Sequence, residues 1–300
     1  MKKISMLVFA MLLSAGVSAE KIYLAHTAGP GGTKQAQLQA LQEKLEAAGH
    51  SIEVINTNSC RSAENWIKRN PGKPVIISHS IEDAAYAKNF PGTEHSCEIP
   101  LTQESLIAVA STAYLNVCSM DSVAAGLEKF KRGGNKIAVT YFPYGINEYL
   151  AKGLVKNLKL ENTRVIKYSD GAKTIQALVS RDVDFVLMSS AHLVTKSGGN
   201  CFMSLAPRNQ ARDGILSLEE FSPGNAWIGK SHTFTFVGFN IKNKANIQKA
   251  TVDAINTHVT FTSQFQLNAH KVGVAAGQTE AHQWRWVDNA LKGYGNLKID

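Results

Sequence analysis

Three short loops carry the residue types that hold small anions, and each stands where an apolar run gives way to a helical pattern. The first is Thr27-Ala28-Gly29-Pro30-Gly31-Gly32-Thr33, which follows the β-type run Ile22 to His26. A glycine-rich turn that opens a helix aims unpaired backbone N–H groups and the positive helix end at an anion. Gly31 and Gly32 allow close approach to the backbone, and His26, Thr27 and Thr33 flank them as candidate polar contacts. An ordinary tight turn uses glycines too, and is the commoner case. The loop is not a dinucleotide fingerprint, because Lys34 stands where a third glycine would be needed.

The second loop, Tyr141-Phe142-Pro143-Tyr144-Gly145, leads into a helix carrying Asn147 near its start. Tyr141, Tyr144 and Gly145 suit a clamp on the apolar body of a ligand, with Asn147 as a polar contact; packing beneath the loop is the competing use. The third is Tyr168-Ser169-Asp170-Gly171, where Ser169 is a candidate contact and either Ser169 or Asp170 suits a helix N-cap. Ser78 and Ser189, just past the apolar runs Val75 to Ile77 and Phe185 to Leu187, complete the candidate set.

Other chemistry finds little support. Gly224-Asn225-Ala226-Trp227-Ile228-Gly229-Lys230-Ser231 matches the phosphate-binding pattern G-x-x-x-x-G-K-[ST] letter for letter. That pattern works only between a strand and a helix, whereas Ser222-Pro223 precedes it and the β-type His232 to Phe236 follows. The match is accidental. There is no G-x-S-x-G elbow and no H-E-x-x-H, so no catalytic residue is assigned. Cys60, Cys97, Cys118 and Cys201 form no CxxC, and His258, His270 and His282 are too widely spaced for a helix-borne metal site. Neither a metal nor a cofactor is expected. Four cysteines allow two disulfides in three pairings.

The elements that position these loops alternate. Ile22 to His26, Ile52 to Ile55 and Val75 to Ile77 read as strands, with helices over Lys34 to Ala48 and Ser62 to Arg69 between them. This βαβαβ order implies a parallel sheet covered by helices. The pattern restarts with strands at Ala113 to Val117, Lys136 to Thr140, Arg164 to Ile166 and Phe185 to Leu187. Helices over Ser122 to Lys131, Asn147 to Leu158 and Ala172 to Val179 separate them. His232 to Phe239 is an extended segment able to cross back, and helices are expected from Ala245 to about Gln266 and from Gln278 to Leu291. Two α/β units with a returning segment predict two lobes and a cleft, with ligands beyond the carboxyl ends of the strands.

The compartment follows from the first residues. Lys2-Lys3, the apolar run Ile4 to Leu13 and the small residues Val17-Ser18-Ala19 have the parts of a secretory leader, cleaved after Ala19. The run is short of the ~20 apolar residues that span a bilayer. The chain of 300 residues has 32 basic and 24 acidic side chains; losing Lys2 and Lys3 leaves 30 against 24, a net +6. Its 44% hydrophobic and 19% charged residues exclude a mainly disordered chain. The basic residues are scattered, without the aromatic-lined basic groove of a nucleic-acid binder. Exported, oxidising surroundings favour paired cysteines.

The loops and their order resemble the periplasmic solute-binding subunits of tripartite tricarboxylate transporters, the TctC/Bug family. Pro30-Gly31-Gly32-Thr33 after a strand, and Tyr149-Leu150-Ala151 after the second loop, are similar to family segments. Closest is Tyr168-Ser169-Asp170-Gly171-Ala172 followed by Ala177-Leu178-Val179-Ser180-Arg181-Asp182-Val183-Asp184, which looks like the family's "Y-K-G-G-A…L..G-x-V-D". Lys196 to Ala206 and Leu218 to Trp227 are similar to its return strand and "W-x-G" run. The chain departs in its bulky second loop, in Met188 where an Asp is usual, and in Lys34-Gln35 where amino-acid binders carry an acid.

The resemblance implies a two-lobed, type II-like Venus flytrap, each lobe a mainly parallel sheet flanked by helices. Residues 20–118 with 232–300 would form one lobe and 119–231 the other. It implies a protein that grips a small carboxylate mainly through backbone amides, hydroxyls and water and serves a membrane transporter; a monomer is expected. It also places Cys201 near Cys118, which gives Cys60–Cys97 within the first lobe and Cys118–Cys201 near the hinge. An exported hydrolase-like enzyme and a binder of phosphonate or another oxyanion are the alternatives on such a scaffold.

Overall fold

The run Val75-Ile76-Ile77 lacks the alternation of a half-exposed strand, which places it inside a sheet covered on both faces. In the computed structural model of the chain, this strand is buried along its whole length. The structure describes residues 20–27, 33–57, 59–89, 98–140, 146–211, 214–261, 266–268 and 280–295. The expectations for the leader, Gly31, Gly32, Cys97, Tyr141, Tyr144 and Gly145 lie outside these residues. Among the described residues, no helix is long and apolar enough to cross a membrane.

The first unit runs β1 (Lys21–His26), α1 (Thr33–Ala47), β2 (Ser51–Val54), α2 (Cys60–Arg69), β3 (Val75–Ser80), α3 (Ile81–Asn89) and β4 (Leu106–Tyr114). Leu38, Leu41 and Leu45 recur at helical spacing and line the buried face of α1. The second unit runs β5 (Asn116–Ser119), α4 (Val123–Arg132), β6 (Lys136–Thr140), α5 (Ile146–Asn157), β7 (Arg164–Tyr168) and α6 (Gly171–Val179). It continues through β8 (Phe185–Met188), α7 (Ala191–Lys196), β9 (Asn200–Ser204), β10 (Leu216–Ser217) and α8 (Leu218–Phe221). The chain then returns through β11 (Ser231–Phe239), α9 (Lys244–Thr257), β12 (Gln266–Asn268) and α10 (Glu280–Gly295).

Two six-stranded sheets result, in the orders β12-β4-β11-β3-β1-β2 and β10-β9-β5-β8-β6-β7. The two α/β units are as expected, but the sheets are mixed. β3, β1 and β2 are parallel, as are β8, β6 and β7, while β11 is antiparallel to both β3 and β4 and β5 to both β8 and β9. The cause lies in how these two strands arrive. Parallel neighbours need a covering crossover, usually a helix; β5 and β11 enter directly from the other unit and have none.

Other expectations change as well. Ala113 to Val117 is not one strand: β4 ends at Tyr114 in the first sheet, and β5 begins at Asn116 in the second. Cys118, expected to close the first lobe, therefore lies in the second sheet. The helix expected to reach Gln266 stops at Thr257, where His258 turns to an extended conformation and caps it by donating its N–H to the Ala254 carbonyl. Gln266–Asn268 instead pairs with β4.

Leu24, Leu41, Ile76, Phe236 and Ile255 belong to the core of the first sheet. Phe130, Phe185 and Phe202 meet edge-on in the core of the second, with centroids 5.4–5.8 Å apart. Cys118 and Cys201 face each other across β5 and β9 and are disulfide-bonded, as the resemblance implied. Cys60 is also disulfide-bonded.

Candidate functional site

The described candidates collect at the carboxyl ends of parallel strands. His26 ends β1 and stands in register with Ser78 on β3. Thr27 donates its backbone N–H to the Ser78 carbonyl at 3.1 Å, and its hydroxyl donates to the same oxygen at 3.3 Å. Thr57 brackets His26, accepting from its N–H and donating to its carbonyl. Thr33 opens α1, Asn147 lies in the first turn of α5, and Ser189 stands just past β8.

Beside Thr27 lies a group that the candidate set leaves out. The Lys34 ammonium is buried and donates to Thr27 Oγ1 at 2.7 Å, Asp83 Oδ2 at 2.7 Å and Ser80 Oγ at 3.3 Å. Those three bonds use all three of its hydrogens. Burial alone would raise the Asp83 carboxyl; the charges of Lys34 and His79, with hydrogen bonds from Lys34 and Ser80, outweigh it and hold it at about 2. His79 is fully buried, with neither ring nitrogen hydrogen-bonded. Burial first, then the charge of Lys34, pushes it down to about 4. The Thr27 hydroxyl, its hydrogen given to Ser78 and a lone pair to Lys34, is a strut more than a ligand donor. The Ser78 hydroxyl is buried without a hydrogen-bond partner.

Two contacts join the units. Thr33 Oγ1 lies 3.0 Å from Ser190 Oγ, so it is Ser190, beside the expected Ser189, that meets the first loop. Asn147 Oδ1 lies 2.6 Å from Nε2 of His232, the second residue of β11. His232 is buried and held down at about 4 by desolvation. Nearby Glu82, fully buried in the first turn of α3, accepts from the Thr233 N–H at 2.7 Å. Desolvation, reinforced by Asp83, raises its carboxyl to about 8, so it is protonated at neutral pH.

Ser169 stands apart from this group. Its exposed hydroxyl donates to Asp170 Oδ2 and accepts from Lys173 Nζ, both at 3.0 Å. Asp170 is the N-cap of α6, accepting from the Lys173 N–H at 2.7 Å. The phosphate-loop mimic is a run of turns before β11. The amides of Asn225, Ile228, Gly229 and Lys230 are bonded to the carbonyls of Ser222, Asn225, Leu205 and Trp227, leaving no cradle for a phosphate.

A signal for the missed residues exists. Ser78-His79-Ser80 continues the apolar β3 run in polar form and leads straight to Glu82-Asp83 at a helix start. Acids in a first helical turn are ordinary; acids following a strand buried on both faces point to a dry polar cluster.

The architecture, two α/β lobes with their strand ends facing, is that of the two-lobed periplasmic binding proteins. MatC (Rpa3494) from Rhodopseudomonas palustris, solved with bound malate, superposes with a TM-score of 0.69 at 12% identity, covering 93% of this chain and 99% of that one. Rpa4515 from R. palustris, solved with adipate, gives 0.64 at 13% identity over 93% and 98%. The periplasmic binding protein BugD gives 0.64 at 12% identity over 91% and 97%. No protein-family model and no curated protein matches the sequence.

Proposed function

We propose that the chain is a periplasmic solute-binding protein that captures a small organic carboxylate between its lobes and delivers it to a membrane transporter. The observation that carries this reading is the meeting of the two sets of strand ends. Thr33 touches Ser190 and Asn147 touches His232, at the place where open α/β sheets hold ligands. Similar structures hold malate and adipate, both dicarboxylates. The first turn of α1 carries no acidic residue, so its N–H groups remain suited to a carboxylate, whereas α6 already has Asp170 as its cap. Lys34 is neutralised by Asp83. The anion is therefore held by backbone donors and hydroxyls, with Gly31, Gly32 and Thr33 on one side and Tyr141, Tyr144, Gly145, Asn147 and Ser189 on the other. The sheets support a first lobe of residues 20–114 with 231–300 and a second of 116–230. The protein acts as an exported monomer with the leader removed after Ala19, and it is a binder, not an enzyme.

A thermal-shift and calorimetry screen of malate, adipate, aromatic acids and phosphonates, with product analysis, tests this. Stabilisation by a carboxylate that is recovered unchanged supports the reading. Turnover points to the hydrolase-like alternative, and stabilisation by phosphonates alone points to an oxyanion binder. No response to any carboxylate overturns it.

A further inference from the structure

We propose that His232 is a positioning residue that fixes Asn147 across the cleft, and that the proton on Glu82 selects the imidazole tautomer that does so. The proposal takes its functional meaning from the solute-binding reading.

The hydrogen-bond directions determine the tautomer. Asn147 Nδ2 donates to the Thr140 carbonyl at the end of β6 at 3.1 Å, which turns Oδ1 toward His232 Nε2, 2.6 Å away. An amide oxygen only accepts, so Nε2 carries the ring hydrogen. A neutral ring then presents a lone pair at Nδ1, which lies 4.0 Å from Glu82 Oε2.

Glu82 stands beside that lone pair at a distance too long for a hydrogen bond but short enough for its charge to bias the ring. Its Oε1 takes the Thr233 N–H, while its Oε2 is buried with no hydrogen-bond partner. Tyr294, from α10, donates its phenol hydrogen to the Ser231 carbonyl and accepts from the Ser231 N–H at 3.0 Å. Its hydrogen-bonding contact with the Glu82 side chain raises the phenol, and with its own hydrogen on the Ser231 carbonyl it meets that carboxyl with its remaining lone pair. A carboxylate between two lone pairs in a dry site is costly; a carboxylic acid there is not. The other charges nearby are occupied. Asp83 on α3 and Lys34 on α1 close on each other, and Lys230, ahead of β11, donates to the Gly293 carbonyl and lies over the Tyr294 ring. His79 on β3 is neutral above about pH 4. The raised carboxyl of Glu82 and the lowered imidazole of His232 agree with a neutral pair.

When Glu82 releases its proton to solvent, the carboxylate favours the ring hydrogen on Nδ1. Nε2 then turns a lone pair on Asn147 Oδ1, and the contact between the lobes becomes repulsive. The ring keeps its charge of zero; one hydrogen moves from Nε2 to Nδ1. The second-lobe side of the cleft thus loses its anchor as pH rises.

Ring ¹⁵N NMR of the full mature chain, labelled at histidine and without ligand, reads this directly. His232 is assigned by its contact with Phe234, whose ring stacks on it at 6.1 Å. The expected result is the Nε2–H form at about pH 6.5, converting toward Nδ1–H as pH passes about 8. In Glu82→Gln the Nε2–H form should persist throughout, and the Asn147 side-chain amide signals should stay fixed where the wild-type signals move. An Nδ1–H or imidazolium ring at about pH 6.5, or the same alkaline conversion in E82Q, overturns the proposal. Should E82Q fail to fold, the Thr233 amide decides: it donates to Glu82, so its shift must share the midpoint of the tautomer change. A different midpoint overturns the proposal. No ligand is involved, so failure of the solute-binding reading leaves this result standing.

Discussion

The two sets of strand ends that face each other are built in opposite ways. In the first lobe, Lys34 reaches residues 7, 46 and 49 positions away, and the ion pair it makes with Asp83 has both side chains only 8% exposed. In the second, Ser169, Asp170 and Lys173 bond only to near neighbours in the chain, largely in water. A dry network must be complete before it is stable, since each unpaired member carries its full desolvation penalty. A wet local cap can break and remake at little cost. The first lobe therefore offers a fixed wall, and the second an edge able to rearrange.

The largest test of that contrast is Asp83→Asn, which leaves the Lys34 ammonium buried without its counter-charge. Urea unfolding should show a loss of about 3–5 kcal/mol. Replacing Cys118 and Cys201 together by serine removes the one long-range covalent tie described in the second lobe, and should cost about 2–4 kcal/mol by the same measurement. If the serine variant loses nothing, the second sheet does not rely on that tie.

Stability should also depend on pH in a way set by the first lobe. His79 and His232 are held near 4 against an ordinary 6.5, so the unfolded chain binds more protons between those values. Their contribution is complete above about pH 6.5 and is lost as pH falls toward 4. Glu82 has the opposite sign: held near 8 against 4.5, it keeps a proton that the unfolded chain has released. Stability should therefore peak near pH 6.5 and fall by about 2 kcal/mol toward pH 8, and E82Q should remove the alkaline fall. Urea midpoints across this range check both limbs; an alkaline fall unchanged in E82Q would place its cause elsewhere. The smallest effect is expected at Asp170→Ala, about 1 kcal/mol for one exposed helix cap. A loss matching that of Asp83→Asn would erase the distinction between the two regions.

The same contrast explains what could be read from the chain. A cap at Ser169 or Asp170 is legible because everything Asp170 touches lies within a few residues, and the structure selects Asp170. The loops were placed because strand and helix periodicities change beside them. Lys34 stands out in the sequence as the residue that spoils a glycine pattern and departs from an acid in the family, but nothing near it names Asp83. His232 sat in a recognisable alternating segment, yet its partner Asn147 is 85 positions away. The crossing at Leu115 was invisible for another reason. Ala113-Tyr114-Leu115-Asn116-Val117 has no glycine or proline to mark a break, because one extended run passes from sheet to sheet. The antiparallel insertions belong to topology, which local pattern does not encode.

β11 lies between β3 and β4, which are not neighbours without it. All strands of the second sheet come from one uninterrupted stretch, Asn116 to Ser217. For a chain emerging amino end first, the second sheet can be complete while the first still lacks its central strand. During that interval β3 and β4 have unfilled edges, the surfaces most prone to pairing with foreign strands. Order of birth and order of assembly are thus reversed, and the earliest segment needs protection for the longest time.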